Sequence, residues 1–109
     1  MEKKVLEVLK KADVPVFYVT RKNSSTFPCL VYTIKENPSR CSDDDEENTE
    51  YNIYINLYST DNFIDLKNKV KTILKENGFM KKSIGIPVYD KELQVYEIVL
   101  VYSYGMELI

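Results

Sequence analysis

A chain of 109 residues is long enough for one core and too short for two, since a domain of this size buries roughly two thirds of the surface its unfolded chain exposes. With 44% apolar and 29% charged residues it is too apolar to stay wholly disordered, and no apolar run approaches the ~20 residues that cross a bilayer as a helix. A net charge of −2 with no basic tail argues against a phosphate backbone as the default partner, and the lack of histidine removes the usual neutral-pH acid–base group and a common zinc ligand.

From Glu2 to Ala12, Val5, Val8, Leu9 and Ala12 recur at helical spacing, with Lys3, Lys4, Lys10 and Lys11 outside the stripe, so a first amphipathic helix is expected. The same alternation of charge with apolar residues from Met1 to Lys11 does not make a signal-peptide core, and synthesis in the cytoplasm is expected. Pro15 biases its predecessor away from helical dihedrals and marks the stop. Val16 to Thr20 and Cys29 to Ile34 read as strands, joined through a polar loop at Arg21 to Thr26. Pro28 stands at the start of the second strand, where a missing amide does least harm, and the short connection suggests an antiparallel pair.

Charge is unevenly spread along the chain. Residues 1–35 carry seven Lys/Arg against three acids, residues 36–50 one against seven, and residues 51–109 seven of each. The acids concentrate in Asp43, Asp44, Asp45, Glu46 and Glu47, whose mutual repulsion predicts a mobile acidic loop over about 36–50. The run lacks the alternating ligands, central Gly and distal Glu of a calcium-binding EF-hand loop.

Tyr51 to Ser59 alternates, with Tyr51, Ile53, Ile55 and Leu57 facing one way and Asn52, Tyr54, Asn56 and Tyr58 the other, as a strand requires. Thr60 or Asp61 can cap a second helix over roughly 61–77, with the stripe Phe63, Leu66, Val70, Ile73 and Leu74 and with Gly78 as a left-handed terminator. Ile84 to Tyr89, broken by Gly85 and Pro87, reads as a short edge strand. Leu93 to Tyr104 reads as a long strand apolar on both faces, therefore central in the sheet or covered by a partner. The order predicts one α+β domain, with a mainly antiparallel sheet of four or five strands and two helices packed on one face.

No motif carries chemistry. Cys29 and Cys41 lack CxxC spacing and read as thiols, one in strand core and one in a loop. No serine sits in a GxSxG setting, and Gly78, Gly85 and Gly105 are too scattered for a phosphate-cradling loop. Neither catalytic residues, a cofactor nor a metal is expected. Nine tyrosines and no tryptophan suit sheet faces and contact surfaces, and Tyr54, Tyr58, Tyr102 and Tyr104 are the candidate interface residues.

These features together resemble the tail-completion proteins of long-tailed bacteriophages and prophages, also called tail terminator or head-to-tail joining proteins. The likeness covers nearly the whole chain. It runs through the short first helix, Val14-Pro15-Val16-Phe17-Tyr18, and Phe27-Pro28-Cys29-Leu30-Val31-Tyr32. It continues through a variable polar loop, the Tyr51 to Tyr58 strand, Ser59-Thr60-Asp61 and a long helix closing at Gly78-Phe79. It ends in a hairpin through Val88-Tyr89-Asp90 and Tyr96-Glu97. The acidic segment is longer and more charged than the family pattern needs. The resemblance implies a structural protein that forms a ring, commonly hexameric, on the head-proximal end of the tail. There it stops tube growth and docks to the head connector. Implied partners are further copies of itself, the tail tube protein and a head-completion or connector protein. The place implied is the host cytoplasm during assembly, then the head–tail junction of the virion. An acidic rim from Asp43 to Glu47 would repel the phosphates of exiting DNA. Two other classes fit the element order: a ferredoxin-like ligand-binding regulatory module, and a small nucleic-acid-binding domain using tyrosines as stacking platforms.

Overall fold

A computed structural model describes residues 2–18, 27–38, 48–61, 63–92 and 94–107. They form an α+β fold of two helices and a six-stranded, mostly antiparallel sheet. In chain order the elements are α1 (Glu2–Lys10), β1 (Val16–Tyr18), β2 (Cys29–Pro38), β3 (Asn48–Ser59), α2 (Phe63–Glu76), β4 (Met80–Ile84), β5 (Val88–Asp90) and β6 (Val95–Glu107). The Arg21–Thr26 loop, Cys41 and the Asp43–Glu47 run lie outside the described residues.

Both helices bury the stripes their spacing requires. Val5, Val8, Leu9 and Ala12 are buried from α1 and its exit turn, and Leu66, Val70 and Leu74 from α2. Past Lys10 the turn tightens, with the amides of Lys11, Ala12 and Asp13 donating three residues back to Val8, Leu9 and Lys10. Asp13 then takes a left-handed conformation at φ 64°, which short polar residues tolerate better than most, and Pro15 follows. Helix α2 begins at Phe63, so neither Thr60 nor Asp61 is the residue directly before it. Its far end is a Schellman motif. Gly78 sits at φ 91°, its amide donates to the Lys75 carbonyl at 3.2 Å, and the Phe79 amide donates to the Leu74 carbonyl at 3.0 Å. Phe79 and Leu74 join the same apolar cluster, the side-chain contact that accompanies this motif.

The sheet runs β1-β2-β3-β6-β4, and β5 also pairs with β6. Because β3 already occupies one edge of β6 from Tyr96 to Glu107, β4 and β5 share the other, at Leu100–Ser103 and Val95–Glu97. Strand β6 is thus central, one of the two placements its apolar faces allowed. Strands β1 and β2 are parallel, with Val16 opposite Leu30 and Tyr18 opposite Tyr32, which corrects the antiparallel expectation. A connection from Tyr18 to Cys29 is long enough to carry the chain back to the same end of the sheet, whereas a tight hairpin is not.

Six strands replace the expected four or five because the segment read as one strand from Ile84 to Tyr89 is two, and the first starts earlier. Met80–Ile84 pairs with β6 despite its polar Lys81-Lys82-Ser83, since ladder hydrogen bonds need backbone and not apolar side chains. Between β4 and β5 the Gly85 amide still reaches the Val99 carbonyl at 2.7 Å, so close that an added Cβ would stand 3.0 Å from that oxygen. Backbone pairing also claims part of the segment expected as loop over 36–50. Glu36, Asn37 and Pro38 pair with Tyr51, Glu50 and Thr49, and Asn48 pairs with Glu107.

The pairing registers align Leu30, Tyr32, Ile53, Ile55, Leu57, Ile98, Leu100 and Tyr102 on one face, and these meet the buried residues of α1 and α2 in a single core. Fully buried Cys29 and Val95 belong to the opposite register face, with Asn52, Tyr54, Asn56 and Tyr58.

Candidate functional site

The registers separate the four tyrosines singled out by sequence. Tyr102 is opposite Ile53 in the core, 2% exposed, and burial raises its phenol pKa above the usual value of 10.0. It presents little surface to a neighbour. Tyr104 lies on the same face, half-buried, its ring 4.8 Å from that of Phe79 and capped by the Lys4 ammonium at 5.0 Å. Tyr54 and Tyr58 lie on the other face, Tyr54 exposed and Tyr58 beside Phe27 with ring centroids 6.3 Å apart. On that face Asn56 donates to a Glu97 carboxylate oxygen at 3.0 Å, while the buried Asn52 Oδ1 accepts no hydrogen bond from the described residues.

A second grouping was not legible as an interface. Along the outer side of β4 and β5, Met80 is 68% exposed, Ile86 81%, Val88 60% and Tyr89 48%. Among the described residues no strand pairs on this side. By register Met80 and Val88, opposite Ser103 and Glu97, lie on one face of the sheet and Tyr89, opposite Tyr96, on the other, so the exposed apolar residues follow this edge on both faces. The signal in the sequence was the Ile86-Pro87-Val88-Tyr89 run itself: apolar residues around a proline confined to an edge have no core to enter.

Beside Met80 a groove of about 510 Å³ opens between α2 and β4, lined by Lys71, Thr72, Lys75, Phe79, Met80, Lys81 and Tyr102. Phe79 and Tyr102 are buried side chains, and Lys71, Lys75 and Lys81 supply three ammonium groups, with no carboxylate among the described lining residues. Lys71 and Lys75 stand one helical turn apart, a like-charge spacing that opposes helix formation unless an anion or solvent screens it. A smaller hollow of about 390 Å³ lies where α1 ends and α2 begins. It is lined in part by Asp13, Asp61, Asp65 and Lys69, with Lys69 paired to Asp13 at 3.8 Å. Helix α2 therefore has an acidic hollow near its start and a basic groove near its end.

Among the described residues no three His, Cys, Asp or Glu side chains converge to hold a metal ion, and no helix is long and apolar enough to cross a membrane. No known family pattern matches the chain, and no curated protein matches it.

Proposed function

We propose that this chain is a structural subunit of a homo-oligomeric ring that completes the tail of a long-tailed bacteriophage or prophage, capping the tube at its head-proximal end and joining it to the head connector. The observation that carries the reading is the apolar edge of Met80, Ile86, Val88 and Tyr89, for which a second copy of the chain is the occupant. A ring closes through two different surfaces that fit each other head to tail, and a sheet with β1 and β2 at one edge and β4 and β5 at the other offers two such flanks. The shared core of α1, α2 and one register face supports a subunit in which both helices cover that face. Tyr54 and Tyr58 on the other face then contact the tube or the connector.

The test is reconstitution. Tail tubes polymerised from the tube protein of the same genome are mixed with this protein and imaged by electron microscopy. A ring on one end only, with tube growth halted, is the expected result. Tubes that stay uncapped and keep growing at saturating protein would end the proposal.

A further inference from the structure

We infer that Asn77 is a site of spontaneous deamidation whose rate is set by the cap that ends α2. Closed, the cap holds the reacting atoms apart; opened, it releases the most reactive asparagine step in the chain. Asn77 is the only asparagine of the sequence that is followed by glycine. Glycine has no Cβ to shield its amide nitrogen or to restrict its dihedrals, so an Asn-Gly step closes a five-membered imide more readily than other asparagine steps. In that reaction the Gly78 nitrogen gives up its proton and attacks the side-chain carbonyl carbon of Asn77, and ammonia leaves. Water then opens the imide at either carbonyl, giving aspartate or, with the main chain rerouted through the side chain, isoaspartate.

The fold opposes the reaction at both partners. The Gly78 amide donates to the Lys75 carbonyl at 3.2 Å, so the proton that must leave is engaged. Asn77 Nδ2 donates to the Ile73 carbonyl at 2.8 Å, which turns the side-chain amide back along the helix, and Lys11 Nζ donates to Asn77 Oδ1 at 3.4 Å. The Asn77 main-chain amide donates to the Ile73 and Leu74 carbonyls, both at 3.2 Å, which keeps the residue in the last helical turn, whereas attack requires its ψ to leave the helical range. These bonds all sit at a helix end, where local opening costs less than unfolding the core. The product does not restore the cap. Aspartate has no amide to offer the Ile73 carbonyl, and isoaspartate adds a methylene to the main chain, which displaces the Phe79 amide from the Leu74 carbonyl it reaches at 3.0 Å. Phe79 and Leu74 belong to the core and Met80 begins β4, so reaction at Asn77 loosens the start of that edge strand.

The experiment incubates the full chain at pH 8 and 37 °C, folded and in 6 M guanidinium chloride, and follows the tryptic peptide Glu76–Lys81 by mass spectrometry for the gain of one mass unit. In denaturant Asn77 is expected to react before any other asparagine, and roughly tenfold or more faster than in the folded chain. Guanidinium well below the unfolding midpoint is expected to raise the folded rate already, since opening the cap does not require opening the sheet. Folded protein that has reacted is separated by charge, and its urea midpoint is expected to fall below that of the starting material. Asn77→Gln, whose longer side chain closes the corresponding ring far more slowly, is expected to keep its midpoint through the same incubation. A folded chain that reacts at Asn77 as fast as the denatured one overturns the inference, as does a denatured chain in which another asparagine reacts first. A reacted protein with an unchanged midpoint, or an Asn77→Gln chain that loses as much as wild type, overturns the part assigned to the cap.

Discussion

Replacing Ile86 and Val88 by serine removes apolar surface that the single subunit already leaves in water, 81% and 60% exposed respectively. Full burial of such a side chain is favourable by about 1.5–3 kcal/mol, so scaling by these exposures gives roughly 2–4 kcal/mol of contact energy held by the pair. At 1.4 kcal/mol per tenfold, each subunit contact should weaken by roughly 30- to 1000-fold. Subunit stability should move by no more than about 0.5 kcal/mol, as for other surface substitutions. Light scattering across a concentration series reads the first quantity and urea denaturation of the monomer the second. An unchanged association midpoint would refute the assignment of this edge to self-contact. A large drop in monomer stability would refute the premise that the two side chains bury nothing within the subunit.

Three further substitutions test the fold that holds the edge and groove in place. Gly78→Ala forces a side chain onto φ 91°; its Cβ would meet Tyr104 at an ordinary 3.5 Å, so the loss of about 1–2 kcal/mol is backbone strain alone, read from the urea midpoint. Leu74→Ala, at a fully buried position packed in the cluster with Phe79, should lower stability by about 2–5 kcal/mol, while Ile64→Ala on the exposed side of α2 should change it by less than about 0.5 kcal/mol. For Tyr102, burial raises the folded pKa above the unfolded value of about 10, so the folded state keeps the proton longer. Stability is therefore full below pH ~10 and is lost as pH rises through the folded pKa. Tyr102→Phe should flatten that alkaline loss in paired urea titrations at pH 9 and 11, and parallel losses in both proteins would sink the argument.

Elements whose periodicity is imposed by burial were legible in the sequence. The stripes of α1 and α2, the alternation of Tyr51 to Ser59 and the two-faced β6 all follow from which side chains must leave water. Gly78 was legible because few other residues adopt a left-handed helix terminator at little cost. Strand β4 was not, since Lys81-Lys82-Ser83 has no apolar signal and is held by backbone pairing to β6. The parallel sense of β1 against β2 is a property of the connection's path, which side-chain pattern does not encode. Tyr102 and Tyr54 look alike in sequence, and only their registers in β6 and β3 assign one to the core and the other to the surface. The basic groove joins residues of α2 to Lys81 across the Gly78-Phe79 reversal, so its lysines converge only after the chain has turned back.

The form of the β4–β5 edge bears on what kind of assembly it permits. A flat, continuous apolar edge would add strands from other copies without limit, the route to fibres. Here a bulge between Lys81 and Ser83, the lysines themselves and the Gly85-Ile86-Pro87 interruption break the row of outward amides. Pro87 in addition has no amide to offer. Strand addition is thereby opposed while Ile86, Val88 and Tyr89 remain presented as side chains. Backbone interruption and side-chain exposure on the same edge thus oppose strand-by-strand addition while leaving the apolar side chains available for contact.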